Sequence, residues 1–327
     1  MKLIVFPENT CRRLAFYLAA EEWVAKTLPA ADYFFTWKVR PTVIIGRNQD
    51  IWSEVNLAYC RDNAIDVCRR RSGGGCVYAD DRNIMISYIS PDTDVSTVFQ
   101  RYTGMVSSQL RKMGFDATPS GRNDILIDGR KISGSAFYLL SDRSIVHSTM
   151  LYQTDLTNML NAITPSRAKL ESKKVKSVQS RIVTASEIRP SLGFEQFHSG
   201  LVNGLADSRY YLNANDIKEI TKIEKKYYDS DWLLYGETGR RQNSQLHRID
   251  RIGTVSIRPV VNEAGEILDI SIVGDCFVIG DMNEVYRLLQ GCRLDASSLT
   301  LRMADIDMGN YISNMTNNTF IELLTQS

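Results

Sequence analysis

Apolar residues Leu14, Tyr17, Leu18, Val24 and Leu28 recur at helical spacing behind Asn9 and Thr10. This predicts a helix over Asn9–Leu28 capped by one of those two polar side chains. The period then changes to that of strands in Tyr33–Val39 and Thr42–Ile45, which are joined through Arg40-Pro41. Ser53 is expected to open a short amphipathic helix reaching Asn63, followed by a strand over Asp66–Arg71. Ile84–Ile89 is apolar at nearly every position, the mark of a strand buried on both faces. Val98, Tyr102, Met105, Val106, Leu110 and Met113 then outline a helix capped near Ser96.

The clearest turn is Asp128-Gly129, set between the apolar runs Ile125-Leu126-Ile127 and the strand that contains Ile132. Asp-Gly between two such runs predicts a hairpin with a type I′ turn, whose central residues both need positive φ. Helices follow over Phe194–Leu205 and Asp216–Tyr227. Asp229–His247 is polar and turn-rich and reads as a domain junction. Beyond it, Val255–Val261, a turn at Asn262–Gly265, Ile267–Val273 and a helix near Met282–Leu289 form a compact unit. The chain of 327 residues exceeds what one core comfortably serves. The expectation is an α+β fold, with a large mixed-sheet domain over residues 1–247 and a small α+β domain over 250–327.

Composition narrows the class. A formal net charge of +1, from 39 basic and 38 acidic residues, gives no basic excess for nucleic-acid binding. The apolar run before Pro7 is far shorter than the roughly 7–15 residues of a secretory core. No stretch approaches the ~20 apolar residues that span a bilayer. The six cysteines include no Cys-x-x-Cys pair, and only three histidines are present, which disfavours a structural zinc site. Reduced thiols in a cytoplasm, with no membrane and no nucleic-acid partner, are expected. His198 and His247 have nothing beside them that suggests chemistry.

Chemistry concentrates in four segments. The first is Arg69-Arg70-Arg71-Ser72-Gly73-Gly74-Gly75-Cys76-Val77-Tyr78. Three glycines leaving a strand free their N–H groups to cradle anionic oxygens, while arginine adds permanent charge and Ser72 a hydroxyl. Strand alternation would turn Arg70 away from Arg69 and Arg71. The alternative is a flexible turn with solvated arginines. No Gly-Lys pair closes a Walker A loop, and Tyr78 stands where a dinucleotide fingerprint needs glycine. The second segment runs from Gly121 to Ala136 and sets Lys131 just past the tight turn, where it is placed to hold developing phosphoryl charge. Asn123 and Asp124, across the hairpin, suit a metal or a polar ligand. The third is His147-Ser148-Thr149-Met150-Leu151. The fourth, Lys173 to Arg181, is by composition a basic surface loop.

Taken in this order, the segments resemble lipoate–protein ligases. The family pattern is Arg-Arg-x-Ser-Gly-Gly-Gly, then Asn-Asp-Ile and Gly-x-Lys-x-Ser-Gly, then His-Gly-Thr-Leu-Leu, then Lys-x-Val-x-Ser-Val-x-Ser-Arg. Phe35-Thr36-Trp37, Pro41 and Ile45-Gly46-Arg47-Asn48-Gln49 also look like the family's first strands. The resemblance spans Asn9 to Ser186 and continues more faintly through Trp232 and Gly236. It implies the biotin/lipoate ligase fold and a cytoplasmic, monomeric enzyme that makes lipoyl-AMP from lipoate and ATP, then lipoylates a lysine of an acceptor protein. The acceptor would be a 2-oxoacid dehydrogenase lipoyl domain or the glycine cleavage H protein.

The resemblance also implies roles. Lys131 would bridge carboxylate and α-phosphate oxygens. Arg70, Ser72, Gly73, Gly74 and Gly75 would line the carboxyl and phosphate site. Asn123 and Asp124 would hold Mg²⁺ or the adenylate, and the loop from Lys174 through Ser180 to Arg181 would close over the nucleotide. Trp37 and His147 would flank an apolar lipoyl tunnel, with Tyr78, Asn83, Ser133, Gly134, Ala136 and Thr149 as further lipoate or adenylate contacts.

Departures from the pattern are local. Where the family continues His-Asp-x-Gly-Asn, this chain has Ala79-Asp80-Asp81-Arg82-Asn83, so an imidazole is missing and Arg82 takes the place of a glycine expected at positive φ. Ser148 also stands for a glycine. Because Lys131, Asp124, Arg70 and Ser72 are intact, activity is expected to survive. Two other readings stay open. One is a lipoyl or octanoyl transferase of the same fold, which needs a thiolate near the lysine, yet no cysteine lies between Cys76 and Cys276. The other is a non-catalytic lipoyl-carrier binding protein.

Overall fold

The computed structural model describes residues 1–7, 11–120, 123–163, 181–236 and 246–326. They pack as two compact units. The first comprises Met1–Ile45, Trp52–Cys68 and Val77–Asp229; the second comprises Gly46–Ile51, Arg69–Cys76 and Ser230–Ser327. Two short stretches of the amino-terminal half therefore pack with the carboxy-terminal residues.

The strands of the first unit are β1 (Lys2–Val5), β2 (Tyr33–Trp37), β3 (Thr42–Ile45), β4 (Asp66–Arg69, whose last residue belongs to the second unit), β5 (Val77–Ala79), β6 (Ile84–Ser90), β7 (Ala117–Pro119), β8 (Asp124–Ile127), β9 (Arg130–Leu140), β10 (Arg143–Met150) and β11 (Ser208–Tyr211). Eight of them form one sheet in the order β11-β1-β2-β6-β10-β9-β8-β7, and β4-β3-β5 form a small second sheet. β1 runs parallel to both its neighbours, whereas β2–β6, β6–β10, β10–β9 and β9–β8 are antiparallel, so the large sheet is mixed. The helix Leu14–Thr27 is buried from Leu14 to Ala25 and packs with Phe35, Trp37 and Ile145 in the main core. On the opposite side of β2, Thr36 Oγ1 meets His198 Nε2 at 2.8 Å, from the helix Phe194–Leu205. A sheet covered on both faces explains why Ile84–Ser90 is buried at every position.

In the second unit β12 (His247–Ile249), β13 (Gly253–Val261) and β14 (Ile267–Gly274) form an antiparallel sheet in that order. The helices Met282–Leu289, Ala296–Arg302 and Asn317–Thr325 close its core through Val285, Leu289, Leu299, Phe320 and Leu324. The α+β class is the one expected.

Several boundaries differ from the pattern-based reading. The first helix begins at Leu14 behind Arg13, which makes no side-chain cap, and the expected caps Asn9 and Thr10 lie outside the described residues. The single helix expected over Ser53–Asn63 is two, Ile51–Glu54 and Leu57–Asp62, because Asn56 caps the second by accepting from Tyr59 N. Asp94, rather than Ser96, caps Val95–Lys112. The helix expected over Asp216–Tyr227 starts at Ala214, where Asn213 caps it, and tightens to a 3₁₀ turn at Lys225–Tyr228. The expected junction contains a helix, Ser230–Tyr235. β4 ends at Arg69, so strand alternation does not extend to Arg70, and both arginines are buried.

Candidate active site

In the first unit the hairpin β8–β9 places Lys131. Asp128 and Gly129 both have positive φ, 50° and 72°, as the Asp-Gly turn requires. A register shift between Ile125 and Leu126 then sets Asp124 opposite Gly134. Lys131 Nζ pairs with Asp124 Oδ1 at 2.8 Å, and its side chain crosses Gly134 to do so. A Cβ on Gly134 would lie 2.3 Å from Lys131 Cε and 2.4 Å from Nζ. The backbone is held as tightly: Lys131 N donates to Arg181 O at 2.8 Å and Lys131 O accepts from Val183 N at 3.0 Å. Asn123 Nδ2 donates to Ser135 O at 2.7 Å. The hydroxyls of Ser133 and Ser135 are buried there with no partner among the described residues.

His147 lies on β10, opposite Ala136 of β9 and Ser87 of β6, with Thr149 opposite Gly134. It belongs to a buried polar network centred on Glu21, which is fully buried. Glu21 Oε1 accepts from Ser87 Oγ at 2.5 Å, and Trp37 Nε1 donates to the same Ser87 Oγ at 2.8 Å. His147 Nδ1 lies 3.2 Å from both carboxylate oxygens, and Tyr138 donates to Oε2 at 3.3 Å. Tyr17 stacks on Trp37 with centroids 4.9 Å apart at 11°. Glu21, Ser87 and Tyr138 were not among the residues singled out from the sequence. The available signal was Glu21-Glu22 inside an otherwise apolar stretch, because carboxylates are almost never buried without partners.

Asn83 serves a turn: its Nδ2 donates to Asp80 Oδ1 at 2.8 Å and its Oδ1 accepts from Tyr152 N at 3.2 Å. Arg82 N donates to the same Asp80 Oδ1 at 3.1 Å. Arg82 is not among the residues at positive φ, so the turn accommodates a side chain where glycine was expected to be needed. Ala79 is fully buried in the main core. Ser148 bonds Tyr102 through their hydroxyls. Tyr78 is buried, and desolvation pushes its phenol well above the ordinary range.

The glycine loop belongs to the second unit. Arg70 is folded into it, with Nε donating to Ser72 Oγ at 2.9 Å and Nη2 to the carbonyls of Gly73 and Gly75 at 2.7 and 2.8 Å. Desolvation above all, with a smaller contribution from the neighbouring Arg69, lowers its pKa to about 10, so the guanidinium remains charged at neutral pH. Gly74 takes φ of +85°, and a Cβ there would lie 3.0 Å from the Phe277 ring. At Gly73 a Cβ would meet Cys276 O at 2.6 Å. Both positions thus need glycine to fit under the segment after β14. Lys174 and Ser180 lie outside the described residues, and Arg181 is exposed. Among the described residues no group of three or more His, Cys, Asp or Glu side chains is arranged to hold a metal.

Comparison with known proteins decides the family. The model of the lipoyl protein ligase A/B catalytic domain matches residues 13–206, and that of the bacterial lipoate protein ligase C-terminus matches 242–324. The chain belongs to the lipoate–protein ligase family. Lipoate-protein ligase LplJ of Bacillus subtilis is 33% identical, with 94% of this chain and 95% of LplJ covered. Lipoate–protein ligase 1 of Staphylococcus aureus is 32% identical, with 94% and 95% covered. A crystal structure of P. falciparum LipL1 in complex with lipoate superposes with a TM-score of 0.75 at 22% identity, covering 100% of this chain and 98% of that one. The ligase therefore shares the fold of that structure, a mixed α+β catalytic domain with a small carboxy-terminal one. Among the described residues it has no helix long and apolar enough to cross a membrane.

Proposed function

We propose that this lipoate–protein ligase works in two steps with Lys131 as the central charge. A carboxylate oxygen of lipoate attacks the α-phosphorus of ATP, forming lipoyl-AMP as the bond to pyrophosphate breaks. The amine of an acceptor lysine then attacks the acyl carbon, giving an amide and a proton as AMP leaves. The carrying observation is how Lys131 is held: paired with Asp124 at 2.8 Å, laid across Gly134, and hydrogen-bonded at both backbone groups. A cation fixed beforehand stabilises the negative charge that develops on phosphoryl and carboxyl oxygens, and spends no free energy on reorganising. Lys131 acts as neither nucleophile nor base.

Arg70, Ser72 and the glycine amides would receive the lipoyl carboxyl and phosphate, in keeping with the charge kept by Arg70. Trp37 and His147 would border the acyl chain, both fixed through the Glu21 network, with Ala136 and Thr149 on neighbouring strand positions and Tyr78 contributing from β5 of the small sheet. Mg²⁺ would be held by Asp124 and the Asn123 amide oxygen, and would neutralise charge on the polyphosphate. The donor set suits it, since this ion commonly takes one or two carboxylates and fills its shell with phosphate and water oxygens. The Lys174–Arg181 loop would cover the nucleotide. We take 1–247 as the catalytic domain and 250–327 as an accessory one, in a cytoplasmic monomer, a setting that suits six free cysteines. The acceptor would be a lipoyl domain or H protein; one archaeal relative was solved in a study of a bipartite ligase and its E2 lipoyl domain.

The test is incubation with lipoate, Mg²⁺-ATP and a lipoyl-domain acceptor, read by intact mass. A lipoyl mass gain that requires ATP and is lost in Lys131→Ala is expected. A gain without ATP would favour the transferase reading. Absence of both mass gain and pyrophosphate release would favour the carrier-binding reading.

A further inference from the structure

Arg69 is fully buried, yet its guanidinium serves two separate stretches of the second unit. Nη1 donates to the carbonyls of Gly46, Arg47 and Gln49 at 2.8, 3.1 and 2.7 Å. Nε donates to Leu233 O at 3.1 Å and Nη2 to Leu234 O at 3.4 Å, both in the helix Ser230–Tyr235. That helix reaches back: Trp232 Nε1 donates to Arg69 O at 3.2 Å. Gly236 follows it with φ of +60°, and a Cβ there would lie 2.5 Å from Arg47 O and 3.3 Å from Arg69 Cδ and Nε. The Gly46–Gln49 turn in turn touches the glycine loop. Arg47 N donates to Ser72 O at 2.9 Å, and a Cβ on Gly46 would lie 2.1 Å from Gly74 O.

We propose that Arg69 is a positioning residue that clamps the helix Ser230–Tyr235 and the Gly46–Gln49 turn to the base of the glycine loop. The loop's shape, and so its hold on the lipoyl carboxyl, then depends on a side chain that touches no substrate. This rests on the assignment of the loop to that carboxyl. The chemistry calls for arginine. A planar fork donates in several directions from one buried point, whereas a lysine ammonium donates from a single compact centre and cannot reach both the turn and the helix. Arg70 next door is occupied with the loop's own Ser72, Gly73 and Gly75, so the two arginines divide the work between the loop's interior and its anchorage.

The test uses the full chain as wild type, Arg69→Lys, Gly236→Ala and the double variant. Three quantities are read: thermal midpoint, lipoate-dependent ATP–pyrophosphate exchange with KM and kcat separated, and hydrogen exchange of residues 70–78 against the helix Leu14–Thr27. Each single variant is expected to raise the KM for lipoate about tenfold, the scale of one lost charge-assisted hydrogen bond. Exchange should accelerate in 70–78 and stay unchanged in the helix. The double variant should be little worse than either single one, because both break the same clamp. Unchanged KM and unchanged loop exchange in both single variants would overturn the proposal even if the midpoint fell, leaving Arg69 a structural staple. If Arg69→Lys fails to fold, Gly236→Ala decides alone. A wild type without pyrophosphate exchange would count against the functional reading, and loop exchange would still decide the clamp.

Discussion

Gly134 shows how little room the Lys131 side chain has. Its backbone conformation is one that any residue adopts, so a methyl group there costs the hairpin little by itself. That methyl would occupy the space of Lys131 Cε and Nζ, 2.3 and 2.4 Å away. Gly134→Ala should therefore fold with a near-native melting curve while Lys131 is pushed off Asp124. Misplacing a catalytic group by about 1 Å commonly costs on the order of 10²-fold in rate. A fall of that size in lipoate-dependent pyrophosphate exchange, with circular dichroism unchanged, is the expected result. Activity within about twofold of wild type would mean that the path across Gly134 is dispensable.

At the scale of elements, Asp66 on β4 joins the start of the first helix to the strand after Pro41. It accepts two bonds from Arg40, at 2.7 and 2.9 Å, and two from Arg13, at 3.3 and 3.1 Å. Desolvation pushes its pKa up, but the Arg40 and Arg13 bonds outweigh it and hold the carboxyl below its ordinary value. A carboxyl lowered on folding adds stability that is present above its unfolded pKa and is lost as pH falls through the folded one. Asp66→Asn should thus lower the melting temperature at pH 7, with the difference from wild type closing as pH approaches 3. A gap that stays constant from pH 7 to 3 would show that the ion pairs contribute nothing.

Asp66 also marks where sequence patterns stop being informative. Periodicity located the helices Phe194–Leu205 and Met282–Leu289 and the Asp-Gly hairpin, because local apolar spacing and turn chemistry decide those elements. That Asp124 lies across the hairpin from Lys131 was legible for the same reason, since a tight turn brings near neighbours together, but their ion pair was not foreseen. Glu21 was not, because its partners Ser87, Tyr138 and His147 come from three strands distant in the chain. The exit of β4 was misjudged on similar grounds: alternation assumes that a strand continues, and Arg69 ends this one by turning to carbonyls far along the chain.

For the whole molecule, the grouping of Arg69–Cys76 with Ser230–Ser327 means that the glycine loop packs against residues far along the chain. Gly74 lies under the Phe277 ring and Gly73 against Cys276 O, while Gly274 N donates to Asn48 O at 2.8 Å in the adjoining turn. The carboxy-terminal residues thus pack directly against the glycine loop. Phe277→Ala removes the ring over Gly74 and leaves the backbone contacts at Cys276 and Gly274 in place. The loop should then sample other conformations, and the KM for lipoate should rise several-fold with kcat for adenylation changed less. Phe277→Leu, which restores much of the lost volume, should recover most of the effect, since cores tolerate swaps that preserve volume. Pyrophosphate exchange across a lipoate titration separates the two parameters. If KM is unmoved in Phe277→Ala, the glycine loop keeps its shape without that ring, and the Arg69 side of the unit alone sets it.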